Sequence, residues 1–521
     1  MLDARFSYKL SAEAGVYRST RSDAVPVSAE RALLDGLAPD GGLYIPVSIP
    51  CLDPAVFATG PLSYAELSYL VLRPLFPNFE ASGLRAALAA QSERFEGGKP
   101  APVVLKDGRA FLELYHGPTL AFKDLALTLM GPLLELARAK LGLRDEIVIL
   151  VATSGDTGKA ALEGLARPGQ SANGIRVVVF YPSEGVSAVQ KLQMTSHDAP
   201  GAKVLGIRGN FDDAQRGVKA IFASPEAAAF MAGRGMRFSS ANSINIARLL
   251  PQVVYYISAW RDMRDAGLLG PDGVMDVAVP TGNFGNILAA WYAKRMGLPI
   301  GKLICASNRN NVLTDFFAKG RYDRNRPFYR TESPSMDILV SSNLERLVFH
   351  AAGEDPLKTA ALMGELATGG SYSLSEPEAR ALSEFEAGWA GEEDAAAAMR
   401  RVFEDSGYLI DPHTAVAVAV LDQRKAEQGE PRPTLITATA SPFKFPEAVA
   451  RAIGLDEAAP APMEGSRSAA RELDIAERLA EAAGLELPQA IESLRGAREL
   501  HCEVVEPSGM QAALELALQL D

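Results

Sequence analysis

Through the middle of the chain, short β-branched apolar runs alternate with longer stretches whose apolar positions recur at helical spacing. Ile147–Ala152 is one such run, followed by a glycine turn and helical periodicity from Lys159. Arg176–Tyr181 precedes the helix-like Val186–Met194, and Lys203–Ile207 precedes Phe211–Ala223, whose Asp212 and Asp213 suit a first helical turn. The style returns with Val274–Val279, a turn at 281–286 and a helix through Met296; Lys302–Ala306 and Leu435–Thr439 read as further strands. Strands alternating with helices of this length predict parallel sheets in an α/β fold. Residues 1–95 instead mix short helices with the turn Asp40-Gly41-Gly42, where glycine takes positive φ without steric cost. Ala458–Ala470 reads as a linker, and the tail beyond it as amphipathic helix with a short strand at Glu503–Val505. The expected organisation is an N-terminal region (1–95), two α/β domains (96–250 and 251–455), and a linker with a C-terminal appendage (456–521).

Composition narrows the function classes. The 521 residues are 48% hydrophobic and 22% charged, enough for a large core without disulfide or metal staples. Fifty-two Lys and Arg against 64 Asp and Glu give a net charge of −12, which argues against broad binding to nucleic acid or an anionic membrane but permits a local cationic pocket. Cys51, Cys305 and Cys502 lie far apart and read as reduced thiols, and no Cys/His set has zinc-ligand spacing. No apolar run approaches the roughly 18 residues of a membrane span, and MLDARFSYKL lacks the basic and apolar regions of a secretory signal. A cytoplasmic protein is expected.

Three turns carry candidate chemistry. Thr153-Ser154-Gly155-Asp156-Thr157-Gly158-Lys159 opens a helix, whose free N–H groups and dipole can hold an anion. It is no P-loop, because Thr153 stands where that motif needs glycine and Ala160 where it needs Ser or Thr, which argues against a kinase. Gly282-Asn283-Phe284-Gly285-Asn286 also opens a helix and suits one phosphate, but lacks dinucleotide spacing. In His116-Gly117-Pro118-Thr119-Leu120-Ala121-Phe122-Lys123-Asp124 a lysine sits in an apolar stretch at a helix start, where desolvation can make it a nucleophile and base. Each alone also reads as an ordinary turn or a surface charge. Together, one reactive lysine, a phosphate cup and a second anion turn match the needs of pyridoxal phosphate and an amino-acid substrate.

The combination resembles the threonine synthases, fold-type II pyridoxal-phosphate enzymes, of the bacterial and fungal kind. The residues that carry it are HGPTLAFKD (116–124), ATSGDTGKAAL (152–162), NSINIAR (242–248), PTGNFGN (280–286), DPHTAV (411–416) and TASPFKF (439–445), with YRSTR (17–21) and DGGLYIP (40–46) before them. The resemblance implies that Lys123 forms the Schiff base and shuttles protons. Gly282, Asn283, Phe284, Gly285 and Asn286 would cradle the cofactor phosphate, and Thr439 would hydrogen-bond the pyridine nitrogen. Ser154, Asp156 and Thr157 would surround the substrate carboxylate.

The implied substrate is O-phospho-L-homoserine, and the implied reaction eliminates its phosphate and adds water to give L-threonine. Lys159, Lys191 and Arg248 are the candidate cations for the substrate phosphate, with Asn242 and Asn245 as helpers. His413 caps a helix or touches the site. Two alternatives stand: a phospho-lyase that releases 2-oxobutyrate, and a non-catalytic cofactor-binding protein. Retention of Lys123 with both anion turns argues against the second.

Overall fold

Nearly continuous apolar runs become strands covered on both faces, as parallel α/β sheets require. The computed structural model describes residues 13–53, 56–57, 60–153, 155–166, 174–184, 186–270, 272–428, 432–455 and 466–520. In chain order the strands are β1 (Val16–Ser19), β2 (Val27–Ser28), β3 (Tyr44–Pro46), β4 (Val103–Lys106), β5 (Arg109–Glu113), β6 (Glu146–Ala152), β7 (Ile175–Pro182) and β8 (Ala202–Ile207). They continue with β9 (Met236–Ser240), β10 (Met275–Pro280), β11 (Ile300–Ser307), β12 (Arg321–Asp323), β13 (Ser371–Ser373), β14 (Phe385–Trp389), β15 (Thr434–Ala438) and β16 (Val504–Val505).

Two sheets dominate. The first has five strands in the order β16-β8-β7-β6-β9, all parallel. The second has six, β14-β11-β10-β15-β5-β4, parallel except for the β4–β5 edge pair. An antiparallel β2-β1-β3 sheet belongs to the N-terminal region, and β12 pairs with β13.

The six strands expected from β-branched runs all form. Sheet membership, however, does not follow the expected cuts. Val103–Glu113, counted with the first α/β domain, completes the second sheet, with Ala110 opposite Leu435 and Glu113 opposite Ala438. Val504–Val505, counted with the appendage, extends the first sheet beside Gly206–Ile207. Which strand a β-branched run pairs with is set by long-range packing and is not written in its local pattern. Most of the expected linker lies outside the described residues.

This interleaving fixes where a site forms. Lys123 follows β5, the Thr153 turn follows β6, the Gly282 turn follows β10, and Thr439 follows β15 by one residue. All lie beyond the carboxyl ends of parallel strands, where open α/β sheets bind ligands. The N-terminal region locks onto the second half of the chain. The Arg21 guanidinium donates to both carboxylate oxygens of Glu345, at 2.8 and 2.7 Å. Arg346, fully buried, donates to the Tyr44 carbonyl at 2.9 Å, the Ile244 carbonyl at 2.6 Å and the Asn343 side chain. One guanidinium thereby joins the N-terminal region to the NSINIAR segment and to the loop beside Asn283.

Candidate active site

The segment before Lys123 is held in an unusual backbone. Leu120 adopts φ +58°, a left-handed conformation costly for a branched side chain. Its neighbours over-determine it: Ser441 N–H donates to the Leu120 carbonyl at 3.0 Å and Phe122 N–H to the Thr439 carbonyl at 2.8 Å. Thr119 donates through N–H and Oγ1 to the two oxygens of buried Asp124, at 2.8 and 2.6 Å. Burial pushes the Asp124 carboxyl up to about 6 despite those two bonds. Lys123 thus enters the helix Asp124–Lys140 from a clamped turn, with Thr439 adjoining it across the chain.

The Lys123 ammonium sits 3.3 Å from Asp156 Oδ2 and donates to Ser335 Oγ at 3.2 Å. Desolvation lowers its pKa; Lys444 and Arg248 push the same way, while Asp156 opposes. Asp156 is the hub. Its Oδ1 meets Lys444 Nζ at 2.7 Å and accepts from Gln190 Nε2 at 2.8 Å, and its Oδ2 accepts from Ser335 Oγ at 3.3 Å. Burial alone would raise its carboxyl, but the Lys444 and Lys123 charges overcome that and hold it far below the usual carboxylate range. Lys444, with 0% exposure, also donates to the Thr119 carbonyl at 2.8 Å.

The turn that presents Asp156 is closed by Thr153 Oγ1, which accepts from Gly155 N–H at 2.9 Å and Gly158 N–H at 3.0 Å. Gly155 has φ +143°, and a Cβ there would lie 2.6 Å from Gln190 Oε1, so only glycine fits. Thr157 is half-buried in the same first turn; Ser154 lies outside the described residues.

The second turn faces the lysine through Ser335. Gly282 packs so closely on the Ser335 backbone that a Cβ would run into its carbonyl oxygen, while Ser341 Oγ donates to the Gly282 carbonyl at 2.7 Å. Asn343 holds the Asn283 carbonyl through N–H at 3.1 Å and Nδ2 at 3.0 Å. Phe284 takes φ +65° and leads into the helix Gly285–Arg295. Tyr255 and Tyr256 donate to Asn286 Oδ1, while Asn286 Nδ2 is buried without a partner. A Gly282→Ala enzyme must displace backbone, and the overpacking is expected to cost about 1–3 kcal/mol. Denaturant unfolding together with cofactor titration would check this; wild-type behaviour in both would refute it.

Behind Ser335 stands His413, 2% exposed. Its Nδ1 bonds Asp411 Oδ1 at 2.7 Å and its Nε2 accepts from Ser335 N–H at 3.2 Å. The accepting Nε2 fixes a proton on Nδ1, so a buried Asp–His pair orients the loop that meets Lys123.

The expected cations separate. Arg248 is 4% exposed, donates through Nη1 to the Ala241 carbonyl at 2.7 Å, and has a buried Nε with no partner; burial lowers its pKa to about 10. Lys159 is instead committed to Glu163 Oε1 at 2.8 Å and His197 Nδ1 at 3.2 Å, outside the Lys123 network. Asn245 is a buried helix cap whose Nδ2 serves the Leu33 and Ser240 carbonyls. Asn242 is half-buried beside it, with its carbonyl accepting from Asn245 N–H. Lys191 lies partly buried on the helix Ala188–Thr195. Sequence reasoning missed Ser335, Gln190 and Lys444. Lys444 alone had a visible signal, a lysine flanked by two phenylalanines.

Similarities to known proteins run along most of the chain. A family profile described as pyridoxal-phosphate dependent enzyme matches residues 109–440. Profiles for the threonine synthase N terminus and C-terminal region match 16–91 and 414–485. Threonine synthase of Pseudomonas aeruginosa is 41% identical over 454 residues, 85% of this chain and 92% of that protein. Human threonine synthase-like 1 is 41% identical over 436 residues, and the match spans 82% of this chain but only 58% of that longer protein. The crystal structure of pyridoxal-phosphate-bound threonine synthase from Brucella melitensis superposes with a TM-score of 0.82 at 36% identity, covering 96% of this chain and 99% of that one. The chain has the fold-type II architecture. Its groups fit pyridoxal phosphate: a desolvated lysine amine for the aldehyde, a helix N-terminus with an unpartnered buried amide for the phosphate, and a hydroxyl residue at Thr439.

Proposed function

This chain belongs to the threonine synthase family of pyridoxal-phosphate-dependent enzymes, and we propose that it converts O-phospho-L-homoserine and water to L-threonine and phosphate. The observation that carries this reading is the desolvated Lys123 amine, bonded at once to Asp156 and to the Ser335 loop that backs the phosphate cup.

When bound, pyridoxal phosphate supplies an electron sink for charge developing at the substrate α-carbon. Lys123, Gly282, Asn283, Phe284, Gly285, Asn286 and Thr439 would hold it. The lowered pKa of Lys123 favours a neutral amine that takes the α-proton and returns protons during turnover. Asp156 steadies that amine, and Ser335 gives it a second partner. Ser154 and Thr157, with the backbone N–H of Asp156 at the helix start, would surround the substrate carboxylate, and Asn242 would help at the phosphate. Arg248 offers its free Nε–H to the leaving phosphate, where a guanidinium suits a dianion. Lys159 is engaged by Glu163, and this reading gives it no part in holding the phosphate.

The reading is tested by incubating the cofactor-loaded protein with O-phospho-L-homoserine and quantifying phosphate, threonine and 2-oxobutyrate together. Threonine equal to phosphate is expected. Phosphate matched by 2-oxobutyrate would make the chain a phospho-lyase, and no phosphate release would refute the substrate.

A further inference from the structure

The C-terminal tail grips one short helix at both ends. Ala188–Thr195 is entered through Ser187, whose Oγ accepts from Gln190 N–H at 3.2 Å. Its first two N–H groups are taken by a residue nearly 300 positions away. Ala188 N–H donates to Glu472 Oε1 and Val189 N–H to Glu472 Oε2, each at 3.1 Å. Glu472 belongs to the tail helix Ser466–Ala483 and is 7% exposed. The other end is held by backbone: Leu500 and His501 N–H both donate to the Thr195 carbonyl, at 2.7 and 3.0 Å. His501 Nε2 reaches the His197 carbonyl at 2.9 Å. The tail then continues into β16 at the edge of the first sheet.

The gripped helix carries Gln190. That side chain is 5% exposed, lies against Gly155 and donates to Asp156 Oδ1 at 2.8 Å. Asp156 in turn holds Lys123. We propose that the C-terminal tail is a clamp that positions the catalytic lysine, with Glu472 as its key residue acting through Gln190 and Asp156. The chemistry favours a positioning role over mere docking. A carboxylate is buried beside a second acid, Glu447, and its environment raises its pKa to about 7. An apolar residue would join the tail helix to the Val189 cluster at lower desolvation cost. Only an acceptor pair can fix the first two amides of this helix, and so its register and the place of Gln190.

This inference rests on Lys123 as the cofactor lysine, and its test keeps the two readings apart. Glu472→Ala, Gln190→Ala and the double variant are prepared as holoenzymes. For each, kcat and KM for O-phospho-L-homoserine are measured, together with the pH titration of the bound cofactor's absorbance without substrate. Misplacement at one remove from the chemistry is expected to lower kcat about tenfold in Glu472→Ala, with KM within about twofold. The absorbance midpoint should move, and the double variant should match Gln190→Ala in both readouts. Glu472→Gln keeps one acceptor and should fall between wild type and Glu472→Ala; it replaces the alanine variant if that fails to fold. Wild-type kcat and midpoint in the Glu472 variants, or effects that add to those of Gln190→Ala, would overturn the clamp. If the wild-type protein does not turn over O-phospho-L-homoserine, the proposed function falls, and the spectral cycle alone decides the clamp.

Discussion

A Lys123→Ala protein is expected to lose covalent attachment of pyridoxal phosphate and at least about 10³-fold in turnover, because in the proposed reaction one side chain would supply both the nucleophile and the proton carrier. The buried alternative is Lys444. Its ammonium is committed to Asp156 at 2.7 Å and the Thr119 carbonyl at 2.8 Å with no exposure at all. Lys123 makes longer bonds, 3.3 and 3.2 Å, and its pKa is lowered by desolvation. It is therefore the amine that can leave its partners without stranding a charge. Borohydride reduction of the holoenzyme followed by peptide mass mapping checks this. A reduced adduct on Lys444, or one that persists in the Lys123→Ala protein, would sink the assignment.

Asp156→Asn is expected to cost about 3–5 kcal/mol, since it leaves the buried Lys444 ammonium without its carboxylate and Lys123 without its acceptor. The pH signs are fixed by the same geometry. The folded-state pKa of Asp156 is depressed, so the stability it contributes is present above the unfolded carboxylate value of about 4 and lost as pH falls below it. The variant should lack that component of acid sensitivity. Asp156 also raises the Lys123 pKa against burial, so its removal lowers that pKa further and moves the acidic limb of the activity profile, where the neutral amine forms, to lower pH. Urea unfolding across pH 3 to 7 and a pH–rate profile would measure both. An unchanged unfolding midpoint at neutral pH would show that the Lys444–Asp156–Lys123 chain bears no stability.

Much of this was legible in the chain. The run Ile147–Ala152 reads as a strand because β-branched residues end at a glycine turn, and Phe211–Ala223 reads as a helix because Asp212 and Asp213 suit its first turn; in the structure Asn210 and Asp213 form a capping box there. The Lys123, Gly155 and Gly282 turns were visible because they punctuate apolar runs. Pairing partners were not visible. Nothing within Arg109–Glu113 says that its neighbour is Thr434–Ala438. Buried charges were also hidden. Arg346 looks like a surface residue until the fold surrounds it with carbonyls, and Lys444 is marked only by its two flanking phenylalanines. Lys159 is paired with Glu163 four residues on, a helical ion pair whose spacing is visible in the chain.

The interleaved second sheet bears on how the protein is made. β5 emerges from the ribosome more than 300 residues before β15, its parallel partner, and the first sheet gains its β16 edge only once Val504–Val505 has been made. Neither sheet can be completed until these distant strands have been made, and such pairings close slowly. The nascent β4–β5 hairpin therefore waits with an open, apolar edge, a template for wrong pairing. Yield on expression should depend on translation rate and chaperone supply more than the thermodynamic stability of the finished enzyme would indicate.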